Sequence, residues 1–301
     1  MALSNEDIRA IRFAQENASK TFEQHLNEHH ELVDTLIYLN ETLKESNTQI
    51  KSWEKYSETL LLKFVFHGLT VHDILSGLTL TSKYYPNEIS GSKIIDKASA
   101  KVVLRSQLET LLMYYYIYVN PKSDDEKELR YTAWVCASLM QRQNFPVRTK
   151  IGKNQKLKDK DDIEKLKLRM QSLSSFNLLS AKQQEKLLSE GNGKLFTNWS
   201  KILSETGFKE NHAFSKMYYH WSAYSHAEGI SAIQLSGQSL AYSSAKEDCI
   251  LDLDYSKLMT CMLITQLVQH YKVIEIKFNT LSSQLQYNIK FYNTLANNVN
   301  F

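Results

Sequence analysis

Glycine and proline are scarce, with 9 Gly and 3 Pro in 301 residues, where average usage gives roughly twenty and fifteen. Turns draw on these residues, so few turns and long elements are expected. That disfavours a sandwich or an α/β fold and points to an all-α chain built as a multi-helix bundle. Cysteine is sparse too. Cys136, Cys249 and Cys261 form no close pair and no CxxC, which excludes a disulfide framework and predicts a reducing, cytoplasmic setting. No run of about eighteen apolar residues occurs, so no membrane span is expected. The opening "MALSNEDIRAIRF" lacks the basic start and apolar stretch of a signal peptide. A net charge of +3 does not by itself call for nucleic acid or an anionic membrane. HExxH, Glu-x-x-His, the Walker A lysine motif and GxGxxG are all missing, so neither a metal nor a cofactor is expected.

Apolar residues make up 43% of the chain, enough for a sizeable core, and their spacing is helical. Leu32, Leu36, Leu39, Leu43, Ser46, Ile50, Trp53, Ser57, Leu60 and Phe64 alternate steps of four and three, the seam of a coiled coil or long bundle helix. Ile8, Ile11, Ala18 and Phe22 extend it weakly upstream. Residues 1–60 are therefore expected to form one long helix, or a hairpin with a break near 27–32. This segment packs on the body or on a partner, and a homodimer through long helices is expected. Residues 61–301 form the bundle, with a basic loop and short helices inserted at about 146–205. Helices are predicted to about Ser82, over 93–119, from Ser123 or Asp124 to Gln143, near 160–173, 180–189 and 194–205, over 210–236, and in one long element over 255–297. Residues 145–160, "FPVRTKIGKNQKLKDK", read as a polar loop, and 238–254 as an irregular connection.

Within the apolar "VVLRSQLETLLMYYYIY" of 102–118, Arg105 and Glu109 stand one turn apart. They share a stripe with Val102, Leu112 and Tyr116. Arg and Glu are seldom fully buried unless paired, so the two form either an i,i+4 ion pair of tenths of a kcal/mol or part of a polar pocket between helices. A second segment, "YYHWSAYSHAEGISAI", puts His226 on a stripe with Tyr219, Ala223, Ile230 and Ile233. Tyr218, Ser222 and Ser225 lie on the adjoining strip, and Glu228 follows. A histidine on an apolar face is commonly a satisfied core residue, but buried ionisable groups on two helices need partners. Arg105, Glu109 and His226 are expected to partner one another. His25 and His29, at i,i+4, read as solvated or seam residues, since a metal site needs three or four ligands. Between Arg148 and Arg169 nine Lys/Arg face four acids. Lys153, Lys156 and Lys158 could contact nucleic-acid phosphates, although no aromatic residue interleaves them and charge runs are usually solvated.

An apolar Arg-x-x-x-Glu helix followed by the Tyr/Ser/His segment "YYHWSAYSHAEG" resembles a group of bacterial all-helical proteins allied to the HEPN superfamily (higher eukaryote and prokaryote nucleotide-binding). The resemblance covers roughly 60–145 and 210–300. It implies a HEPN-like helical fold and a toxin or phage-defence role acting on RNA without metal. HEPN nucleases pair an Arg and a His separated by four to six residues, and no Arg here has a His five to seven positions after it. A site could be rebuilt only across helices, with Arg105, Glu109 and His226 catalytic and Tyr219, Ser222, Ser225 and Glu228 binding. Three functions then fit the sequence: a metal-independent ribonuclease, a non-enzymatic helical interaction module, and a nucleotide or small-ligand binder without turnover.

Overall fold

The computed structural model describes residues 5–46, 51–85, 91–206, 213–226, 228–236 and 241–298, with backbone alone at 5–10 and 298. The described residues are 79% helical, the all-α bundle that the scarcity of glycine and proline predicts. The helices are α1 (Asn5–Ser19), α2 (Phe22–Glu45), α3 (Ser57–Leu75), α4 (Lys97–Tyr114), α5 (Asp124–Gln143), α6 (Lys150–Gln171), α7 (Ser174–Asn177), α8 (Ala181–Ser189), α9 (Trp199–Glu205), α10 (Ala213–Ser225), α11 (Gly229–Ser236), α12 (Tyr242–Ala245), α13 (Ile250–His270), α14 (Lys272–Phe278) and α15 (Ser283–Asn298). One antiparallel ladder, β1 (Leu78–Thr79) with β2 (Lys93–Ile94), is the only sheet among the described residues.

Two compact units emerge, one of Met1–Thr48, Thr59–Leu111 and Phe208–Phe301, the other of Gln49–Glu58 and Leu112–Gly207. The 1–60 segment thus contributes to both, while 146–205 falls wholly within the second. The first unit is organised on α13, which buries Leu253, Met259, Leu263, Ile264 and Leu267 together with polar residues on its other sides. A helix enclosed all round is a core element. Helices α2 and α15 pack on it, α2 through Leu32, Leu36, Leu39 and Leu43. The heptad-like seam therefore meets its second helix within the chain.

That seam does not continue as one helix. Thr21 starts α2 with a reciprocal capping box in which its Oγ1 accepts from the Gln24 N–H and the Gln24 side chain accepts from the Thr21 N–H. The break thus falls at 20–21, not near 27–32, and "TFEQ" is its sequence signature. Helix α2 ends at Glu45, Ile50 of the expected seam lies outside the described residues, and the pattern resumes on α3 with Leu60 and Phe64. Upstream, the side chain of Ile8 lies outside the described residues, Ile11 and Ala18 are exposed, and among residues 11–19 α1 buries Phe13, against Tyr287, Phe291 and Tyr292 of α15. The C-terminal helix is likewise three elements, interrupted at Tyr271 and again at 279–282.

In the second unit α5 begins at the Ser123 cap, as expected. Of the basic loop expected at 145–160, residues 145–149 are non-helical, but 150–160 are the start of α6. Thr149 accepts from the Gly152 N–H and caps a 22-residue helix. Lysine and glutamine are good helix formers, and the weak apolar periodicity that suggested a loop reflects a helix buried only through Asp159, Ile163 and Met170.

Candidate functional site

On α4, Lys97, Lys101, Arg105 and Glu109 recur every four residues and so form a column on one face. The first two are taken up by Asp248, in the turn at 247–249, and by Asp252 of α13. Lys97 Nζ pairs with Asp248 at 2.7 Å and Lys101 Nζ with Asp252 at 2.6 Å. Both partners advance by four, so α4 and the chain entering α13 run in the same direction there. Arg105 pairs with Glu109 on its own helix at 3.2 Å and turns to α10, donating from Nη1 to Ser225 Oγ. The Tyr218 hydroxyl donates to Glu109 Oε1 at 3.2 Å, and Arg105 lies 5.4 Å from the Tyr218 ring centroid. Burial pushes the Tyr218 phenol up, so it stays a donor. Ser225 Oγ donates in turn to the Ser222 carbonyl, and Ser222 Oγ to that of Tyr218. Arg105 and Glu109 keep 20% and 27% of their side-chain surface exposed, which makes the cluster half-open rather than core.

The expected stripe on the later helix is corrected. Helix α10 stops at Ser225, and the Glu228 N–H bonds back to the Ala223 carbonyl, so helical spacing cannot be carried through to Ile230 and Ile233. Tyr219, Ile230 and Ile233 are largely exposed, and the buried face of α10 holds Phe214, Trp221 and Tyr224. Ala223 alone of that stripe is buried. His226 follows Ser225 in the turn and is exposed, as is Glu228. No hydrogen bond or ion pair among the described residues joins His226 to Arg105 or Glu109. The structure thus brings together Arg105, Glu109 and Ser225 with Tyr218 and Ser222, and leaves His226, Tyr219 and Glu228 at the exposed edge.

Sequence reasoning missed a larger polar assembly inside the same unit. Lys257 has no exposed side-chain surface. Its Nζ lies 2.9 Å from Glu28 Oε2, 2.8 Å from Asp254 Oδ1 and 2.9 Å from His25 Nδ1. Lys20 holds the other oxygen of Glu28 at 2.9 Å, and the Tyr292 hydroxyl reaches both Glu28 and Asn17. Two cations meet two carboxylates, as burial requires. Burial pushes Glu28 and Asp254 up, but their basic partners, Lys257 for both, Lys20 for Glu28 and His25 for Asp254, outweigh it and hold both carboxyls below the usual range. Beside this, His29 Nε2 sits 2.8 Å from Ser256 Oγ, which donates to Gln107 Oε1 at 2.9 Å. Ser256 has one proton, so His29 donates from its Nε2–H to Ser256 Oγ. Burial above all, then neighbouring His72, Lys257 and His30, lowers its pKa to about 3. His25 and His29 are therefore buried network residues, not solvated ones, and no His/Cys/Asp/Glu group able to hold a metal occurs among the described residues. Thiol chemistry is also disfavoured, because burial pushes Cys136 and Cys249 up to about 11.

In the second unit Lys153 and Lys158 project from α6 into solvent, while Lys156 donates to the Gln143 carbonyl at the end of α5. Lys158 also lines a cleft of about 570 Å³ shared by α5, α6 and the segment 52–56. Compared with models of protein families, with curated proteins and with solved structures, the chain matches none.

Proposed function

We propose that this protein acts on RNA through the half-open cluster of its first unit, as a HEPN-like, metal-independent ribonuclease of the toxin or phage-defence kind. The observation that carries the reading is the placing of Arg105. With Glu109, which accepts from Tyr218, it faces α10, and it is tied to Ser225 directly before the exposed His226. A guanidinium held by a carboxylate and a hydroxyl is pre-organised to receive a phosphate, and an exposed imidazole is a side chain able to serve as general base. In this reading His226 removes the 2′-hydroxyl proton and the 2′ oxygen bonds to phosphorus. The bond from phosphorus to O5′ then breaks, and the imidazolium returns the proton to the leaving oxygen. Arg105 stabilises the charge that builds on the phosphorane. The resemblance in the Arg-x-x-x-Glu and Tyr/Ser/His segments supports the same assignment.

A competing reading rests on Glu109, whose charge matches that of Arg105 and makes a purely structural pair possible. Labelled RNA incubated in EDTA separates the two. Wild type should release fragments ending in 2′,3′-cyclic phosphate, and His226→Ala should not, with its circular dichroism unchanged. An uncut substrate with wild type, or equal cleavage by His226→Ala, would assign the cluster to structure alone.

A further inference from the structure

The charge run on α6 has no aromatic residues of its own in sequence, but the fold supplies them. In the cleft of the second unit α6 presents Lys158, Lys165 and Arg169. Segment 52–56 brings Tyr56, and α5 brings Tyr131 and Arg142. Tyr56 and Tyr131 lie with ring centroids 6.1 Å apart and planes 28° from parallel, and Tyr56 keeps part of its surface exposed.

The two arginines are held in a particular way. Asp159, only 1% exposed, accepts from Arg142 through both carboxylate oxygens. Glu128, also buried, accepts from Nε and Nη2 of Arg169 at 2.5 and 2.7 Å. Each buried acid thus grips one edge of a guanidinium that remains about half exposed. Five N–H groups per guanidinium leave donors free on the outer edge. Arg142 on Asp159 and Arg169 are ten residues apart along α6, about 15 Å at 1.5 Å per residue. The fixed donors are therefore too far apart for one phosphate and suit a chain of them, with exposed Lys165 between and exposed Lys158 next to Asp159. Counting Lys55, five cations face three carboxylates, Glu128, Asp159 and Asp162, in the lining, so an excess of positive charge remains.

We infer that this cleft is a binding groove for a few nucleotides of single-stranded nucleic acid, with backbone phosphates on Arg142, Lys158, Lys165 and Arg169 and a base stacked on Tyr56. An acid-gripped guanidinium at each end, exposed lysines beside and between them and a partly exposed tyrosine ring form the combination that binds single strands without reading sequence. The groove belongs to the second unit alone and does not depend on whether the first unit cleaves RNA.

The test uses the full chain and a labelled hexa-uridine RNA containing 4-thiouridine. Photo-crosslinks should map to peptides carrying Tyr56 or Tyr131. Tyr56→Ala should weaken binding roughly tenfold, while Tyr56→Phe, which keeps the stacking face, binds as wild type. Lys158→Glu with Lys165→Glu should weaken it further and flatten its dependence on salt. An RNA duplex should compete poorly. Crosslinks confined to other peptides, equal binding by Tyr56→Ala, duplex competition as strong as that of the single strand, or no binding by wild type would each overturn the proposal. Loss of cleavage in His226→Ala with crosslinks retained in the groove would leave it standing.

Discussion

Lys257 shows how the first unit tolerates charge in its centre. Its ammonium sits among Glu28, Asp254 and His25 with no solvent contact. Removing one member of a buried ionic set leaves the others uncompensated, at about 3–5 kcal/mol. Lys257→Met should therefore lower the unfolding free energy by that order in urea titration, and a loss under about 1 kcal/mol would show that the carboxylates find other partners. Arg105→Met should cost far less, roughly 1 kcal/mol, because its pair with Glu109 remains partly solvated. His29 sets a pH dependence. Its folded pKa of about 3 lies below the ordinary 6.5, so the folded state holds fewer protons than the unfolded chain between those values. Its contribution is complete above pH 6.5 and is lost as pH falls toward 3. From pH 7 to 5 this amounts to about 2 kcal/mol, and His29→Gln should lessen that fall. Glu28 and Asp254, with lowered folded pKa values, add loss of the same sign below the ordinary carboxylate range.

At the scale of elements, what was legible followed from apolar spacing and caps. Ser123 and the 124–143 helix, and the Leu32–Leu43 seam, could be read because each repeats an apolar face or presents a capping oxygen. The first half of α6 was missed because its packing on α5 rests on Arg142–Asp159, a pair between distant residues that no local pattern announces, while the half beyond residue 160 matches the helix expected near 160–173. The column Lys97, Lys101, Arg105 and Glu109 and its match in Asp248 and Asp252 were visible as four-residue repeats. Their pairing required knowing that α4 and α13 lie side by side. His226 was misplaced because a stripe was extended past Ser225, where the helix ends. Two substitutions test elements directly. Thr149→Ala removes the α6 cap and should cost about 1 kcal/mol, which a loop at 145–160 would not register. Gly68 lies in α3 where an added Cβ would stand 2.9 Å from a Val33 methyl of α2. Gly68→Ala should destabilise by about 1–3 kcal/mol through overpacking, and a gain in stability from the better helix former would contradict that close approach.

Across the whole molecule, two units carry different kinds of polar site. The first encloses a neutralised ionic core and leaves a half-open Arg105 cluster, and the second holds an open basic and aromatic cleft. Among the described residues no helix is long and apolar enough to cross a membrane. RNA is the ligand proposed for both surfaces, through phosphate contacts that salt must weaken. The most direct measurement is the affinity of the full chain for labelled single-stranded RNA between about 50 and 200 mM salt, wild type beside Arg105→Gln. Affinity should fall linearly on a log–log plot by about 0.7 per phosphate neutralised, with Arg105→Gln binding more weakly and its slope shallower by about that one unit. Absence of binding at the lowest salt, or an Arg105→Gln line that overlays wild type in both height and slope, would contradict an RNA-directed role for the Arg105 cluster.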